Sequence, residues 1–167
     1  LGKAEEAEAS FAAAKALKDH DNINNNLGAV ALKADDVSGA KELFTASLGA
    51  GDKVNYNLGI VNIIQGDYQA AINYFGNTPS YNLALAKYLN GDVEGAWRTA
   101  SEVEESPYRA YLLAVIAANQ DKPDAMYSNL EKAALTCKDP QYMKDHAKTD
   151  LEFAKYWNEP KFKAIVE

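Results

Sequence analysis

Four leucines, Leu27, Leu58, Leu83 and Leu113, are each followed by a small residue: Gly28, Gly59, Ala84 and Ala114. Twelve residues after each small residue stands Ala40, Ala71, Ala96 or Met126, and four further on Phe44, Phe75, Ala100 or Leu130. A spacing of four puts two side chains on one face of a helix. Polar turns separate the two halves of the first three repeats: Asp35-Asp36, Gly66-Asp67 and Gly91-Asp92. The pattern reads as a helix, a turn and a second helix, said several times over. A small residue on the first (A) helix and an alanine on the second (B) let the two axes approach closely, ridge into groove. The larger residue one turn later fills the layer towards the next hairpin. Helices are predicted near 3–17, 22–34, 37–48, 53–65, 67–76, 79–90, 92–104, 107–119, 123–136 and 140–148, with short ones at 150–157 and 160–166. No useful stretch alternates with period two, so no sheet is expected.

Turn chemistry supports the same map. A Gly-Asp turn ends an A helix and offers an aspartate to cap the B helix. Thr78-Pro79 and Ser106-Pro107 read as an N-cap followed by proline at the first helical position. The step from Leu58 to Leu83 is the shortest, so the intervening B helix must be brief and end near Phe75-Gly76-Asn77. Gly2, Ala7, Phe11 and Ala14 repeat the second half alone. In the tail, Phe153, Trp157, Phe162 and Ile165 stand among lysines and glutamates, as expected of a segment that covers the end of the last hairpin.

This pattern resembles the tetratricopeptide repeat, a helix–turn–helix of about 34 residues with a recurrent Leu-Gly, a small residue in the second helix and an aromatic after it. The resemblance rests on Leu27-Gly28, Ala40 and Phe44; on Leu58-Gly59, Ala71 and Phe75; on Leu83-Ala84 and Ala96; and on Leu113-Ala114, Leu130 and Ala133. Asn24 and Asn55 depart from it where the family often has tryptophan, as do Ala100 for the aromatic and Met126 for the alanine. It implies an all-α fold, a right-handed superhelical solenoid of antiparallel helix pairs with a C-terminal capping segment. The repeats would span 1–139, as a half repeat at 1–20 and pairs at 21–51, 52–76, 77–106 and 107–139, and the cap 140–167. A lone B helix at the start needs a partner, so the chain is expected to be the C-terminal part of a longer array.

Composition narrows the partners. The hydrophobic fraction of 47% belongs to a folded rather than a disordered chain. A formal charge of -7, with Arg98 and Arg109 as the only arginines, disfavours nucleic acid, including RNA held by helical repeats, and anionic membranes. No apolar run approaches a membrane span, so direct insertion is not expected. The single cysteine, Cys137, cannot form an internal disulfide. The chain starts at Leu1 without methionine, which suggests a processed or trimmed N-terminus. With the excess of lysine over arginine, this leans towards an exported bacterial (periplasmic) protein over a cytoplasmic one. Oligomeric state stays open.

The resemblance also implies that the A helices line a concave wall. Residues facing it would include Asn22, Asn25, Asn26, Ala29 and Lys33, then Lys53, Tyr56, Asn57, Ile60 and Ile63. Tyr81, Asn82, Leu85 and Tyr88 follow, and then Tyr108, Tyr111, Val115 and Asn119. Asn26, Asn57 and Asn82 each stand just before the recurrent leucine. An amide both donates and accepts, so such a row could bond the backbone of an extended peptide, or it could satisfy neighbouring helices. Tyr56, Tyr81, Tyr88, Tyr108 and Tyr111 offer rigid amphipathic contact area, or else pack between helices. Lys33 and Lys53 lack the arginine that a clamp on a chain-terminal carboxylate would want.

Catalysis finds little support. His20 and His146 are far apart in sequence. Asp19-His20-Asp21 reads as a solvated loop rather than a metal site, and Asp145, His146 and Asp150 as capping or ion-pair residues. No phosphate-binding glycine loop or nucleophile motif occurs, and Cys137 reads as a packed side chain. The expectation is a non-catalytic protein–protein interaction module, without metal or cofactor, that holds a peptide or protein in its groove. The alternative is a structural spacer or assembly platform within a larger protein.

Overall fold

The structure, a computed structural model, describes residues 6–7, 9–13, 21–48 and 51–167. Among them the fold is all-α, without strands. The half repeat expected at 1–20 is described only at 6–7 and 9–13, which are helical; Gly2, Ala14, Asp19 and His20 lie outside the described residues. The chain divides into two compact units, Leu1–Asn77 and Thr78–Glu167.

The first unit contains α1 (Asp21–Lys33), α2 (Val37–Thr45), α3 (Asp52–Ile64) and α4 (Tyr68–Phe75). α1 pairs with α2 and α3 with α4 as hairpins, and α2 packs on α3. Ala40, Phe44, Val54, Leu58 and Val61 form a buried core across that join. The second unit contains α5 (Tyr81–Leu89), α6 (Val93–Glu102), α7 (Pro107–Asn119), α8 (Pro123–Thr136), α9 (Pro140–Thr149), a 3-10 segment (Leu151–Tyr156) and α10 (Pro160–Val166). Here α5 pairs with α6 and α7 with α8, while α9 and α10 pack on α8 and the 3-10 segment on α7.

Each of these four hairpins turns by the same device. The backbone N–H groups of Asp36, Asp67, Asp92 and Lys122 reach back to the carbonyls of Ala31, Asn62, Lys87 and Ala117, each at 2.9 Å. The residue before each donor has positive φ: Asp35 at 62°, Gly66 at 79°, Gly91 at 87° and Asp121 at 55°. This is the Schellman ending, which satisfies the last carbonyls of a helix. The donor is at once the N-cap of the next helix. Asp36, Asp67 and Asp92 accept from the N–H groups of Gly39 (2.9 Å), Ala70 (3.2 Å) and Gly95 (2.9 Å). The fourth turn falls between the helices expected at 107–119 and 123–136, although Asp121-Lys122 has neither the glycine nor the capping aspartate.

Two helix starts differ in kind. Ser106 caps α7 with Pro107 at its first position, and accepts from the Arg109 N–H at 3.1 Å. Thr78-Pro79, expected to do the same, precedes α5 instead: Ser80 caps it, accepting from the Leu83 N–H at 3.1 Å. The tail at 150–157, expected as a short helix, is the 3-10 segment, with Asp150 as its cap. Arg109 also closes the end of α6, donating to the Ala100 and Ser101 carbonyls at 2.8 and 2.9 Å. A cation among unpaired carbonyls suits a helix C-terminus.

The small and large positions of the repeat are matched in volume. An added Cβ would come within 2.6 Å of the Phe44 ring at Gly28 and 2.4 Å of the Phe75 ring at Gly59. In the second unit the same two places hold Ala84 with Ala100 and Ala114 with Leu130, all buried in shared clusters. Where the A helix has alanine, the B helix gives up its phenylalanine. The tail completes the second core: Phe153 and Phe162 are fully buried beside Met126, Leu130 and Met143.

Gly28→Ala is therefore expected to destabilise the chain by about 1 kcal/mol. Overpacking costs about 1–3 kcal/mol, against about 1 kcal/mol gained in helix propensity. Urea unfolding of Gly28→Ala, Phe44→Leu and the double variant should show the double losing less than the two singles summed. Additive losses would dismiss the volume pairing.

Candidate functional site

In the first unit the A-helix face is built by α1 and α3. The Asn57 Nδ2 donates to Asn25 Oδ1 at 2.8 Å, tying the two A helices together across 32 residues of chain. Asn57, read either as a contact to an extended peptide or as satisfying a neighbouring helix, is thus half-buried and engaged with its neighbour, while Asn26 and Asn22 are exposed. Lys53 is exposed, and Tyr56 is 41% exposed with its ring edge-on to Phe75 (5.4 Å, 62°). Ala29 and Lys33 are exposed, and Ile60 and Ile63 are half-buried.

The second unit treats its tyrosines differently. Tyr108 is 58% exposed. Tyr81 and Asn82 are half-buried, and burial, followed by the nearby Tyr108, raises the Tyr81 hydroxyl pKa. Tyr111 is buried, its hydroxyl donating to Asp150 Oδ2 at 2.8 Å and its ring standing edge-on to Phe153 (5.6 Å, 86°). Tyr88 is half-buried, and burial, followed by the nearby Glu152 carboxylate, raises its hydroxyl pKa. Tyr111, read either as a groove contact or as packing between helices, is therefore taken up by the protein's own tail: its hydroxyl meets Asp150 while Phe153 enters the core. A second staple joins the Tyr127 hydroxyl to Glu159 Oε2 at 2.5 Å. Lys155 pairs with Asp121, and Lys161 lies 3.6 Å from Asp124.

A hollow of about 710 Å³ opens between the starts of α7 and α9. Pro107, Tyr108, Thr136, Cys137, Pro140 and Tyr142 line it, and the thiol is half-buried. His146 stacks on Tyr142 (6.1 Å, 2°) and lies against the Tyr111 ring (5.2 Å). Asp145 pairs with Lys148 at 3.0 Å. Among the described residues no group of three or more histidine, cysteine, aspartate or glutamate side chains is placed to hold a metal ion. Nor is any described helix long and apolar enough to cross a membrane. No protein-family model matches the sequence, and no curated protein is recognisably similar to it.

Glu159, and the bond from Tyr111 to Asp150, are what sequence reasoning missed; Asp150, expected as a capping or ion-pair residue, does cap the 3-10 segment. A signal existed in the register. Asn25, Tyr56, Tyr81 and Tyr111 all stand two residues before the recurrent leucine, which marks them as one row of equivalent hydrogen-bonding positions.

Burial first, and the carboxylate partner second, raise the hydroxyl pKa values of Tyr88, Tyr111 and Tyr127 well above the ordinary tyrosine range. The folded chain holds these protons more tightly than the unfolded chain, whose tyrosines ionise near about 10. Their contribution to stability is complete below pH about 10 and is lost as pH rises above it. Melting temperature should fall steeply as pH rises from about 10 to about 12. In Tyr111→Phe and Tyr127→Phe the fall should be shallower, from a lower starting value at neutral pH. An unchanged slope in both variants would refute the staples.

Proposed function

We propose that the chain is a non-catalytic interaction module of the tetratricopeptide-repeat kind, its helix pairs arranged as a right-handed superhelical solenoid. It would bind a peptide or protein partner along its A helices. The α1–α3 face carries this reading. Val54, Leu58 and Val61 are buried in the core, Asn57 is held by Asn25, and Asn22, Asn26, Lys53 and Tyr56 stand at the surface. A polar face fixed in advance loses less freedom on binding than one that must be ordered. Asn82, Tyr81 and Tyr108 supply the corresponding positions in the second unit. The formal charge of -7 makes nucleic acid a poor partner.

Peptides selected from a displayed library against the intact chain should perturb the NMR amide signals of α1 and α3. Asn26→Ala with Asn57→Ala should weaken them about tenfold, roughly the worth of one or two hydrogen bonds, with the far-UV circular dichroism unchanged. Selected peptides that perturb only α2 and α4 would sink this reading.

A second reading, a platform that assembles through its end, draws on one observation. Leu135 is 76% exposed beside a hollow of about 330 Å³ lined by Ala134, Pro140, Ala164 and Ile165. Light scattering should then reveal concentration-dependent association that Leu135→Glu abolishes; a monomer at all concentrations counts against it.

A further inference from the structure

One A-helix tyrosine already holds a piece of polypeptide, and the way it does so indicates what its equivalents select. Tyr111 gives its hydroxyl proton to Asp150 at 2.8 Å and meets Phe153 edge-on. Glu152, in the same short run Asp150-Leu151-Glu152-Phe153, lies near Tyr88. A side-chain carboxylate and an aromatic ring are thus the chemistry that this face receives in the second unit. In the first unit Tyr56 stands in the register of Tyr111, its ring set edge-on to Phe75 and 41% exposed. Lys53, one turn earlier on α3, is exposed.

We propose that the α1–α3 face binds a partner segment in which side-chain carboxylates precede an aromatic residue, with Tyr56 and Lys53 meeting a carboxylate. This rests on the peptide-binding reading above and adds the chemistry of the ligand. Among the described residues Lys53 and Lys33 are exposed cations of this face, and the neighbouring acids, Asp21 and Asp52, sit in the first turns of α1 and α3, where the helix dipole already holds a carboxylate. A hydroxyl or ammonium bond to a carboxylate is about twice as strong as its neutral counterpart. Asp150 and Glu152 are internal residues, so side-chain carboxylates rather than a chain terminus are the determinant.

The test uses the intact isotope-labelled chain and two acetylated, amidated peptides. One has the sequence of residues 148–155; the other carries Asp150→Asn and Glu152→Gln. The acidic peptide should perturb amide signals in α1 and α3 and bind about tenfold more tightly than its neutral twin. Tyr56→Phe, which keeps the ring against Phe75, combined with Lys53→Ala should bring the two affinities together. Equal binding of both peptides at α1 and α3 would overturn the acidic preference and leave the peptide-binding face standing. Perturbations confined to the surroundings of Tyr111, or none at all, would overturn docking at Tyr56; the library selection judges the face itself.

Discussion

Everything else in the two units hangs on a turn in which one residue serves two helices. The N–H of Asp36, Asp67, Asp92 or Lys122 closes the helix behind it, and the same residue is the N-cap of the helix ahead, which the three aspartates also bond with their side chains. A helix end normally leaves several backbone groups unsatisfied, which a chain must answer with water or extra residues. Sharing one residue between both ends brings the helices into contact at once. It also fixes which side chains face each other. The opposition of Gly28 to Phe44 and of Gly59 to Phe75 follows from that geometry, as does burial of Ala40 and Ala71 at the crossing.

The sequence disclosed what is local and periodic. Three of the four turns were legible because glycine or a capping aspartate is a chemical requirement there, and the fourth from the helical patterns on either side of it. The small-residue register was legible because close helix approach forbids bulk. The short α4 was visible from the spacing of Leu58 and Leu83, and it ends where Gly76 takes a positive φ of 64°. The start of α5 was misplaced because Thr78-Pro79 and Ser80 offer two competing caps within three residues.

The candidate site was less legible, for a different reason. Periodicity assigns a side chain to a face, but it does not say what else reaches that face. Tyr111 and Tyr88 stand on A helices, yet the tail that covers them begins 39 residues beyond Tyr111, at Asp150. Asn57 likewise turned to Asn25, 32 residues back. Both partnerships are long-range, between residues without periodic kinship, and both belong to the polar layer, where hydrogen bonds rather than volume decide the outcome.

The shared turn also decides where the chain is free to vary in length. From leucine to the B-helix position the count is constant: Leu27 to Ala40, Leu58 to Ala71, Leu83 to Ala96 and Leu113 to Met126 are all 13 residues apart. From leucine to leucine it is not, at 31, 25 and 30. An inserted residue within a hairpin would strip a cap from one helix and a closing bond from the other. The same insertion after a B helix would only lengthen a link. The repeat therefore behaves as a rigid cassette joined by adjustable spacers, and its irregularity is confined to the one place where the backbone can absorb it.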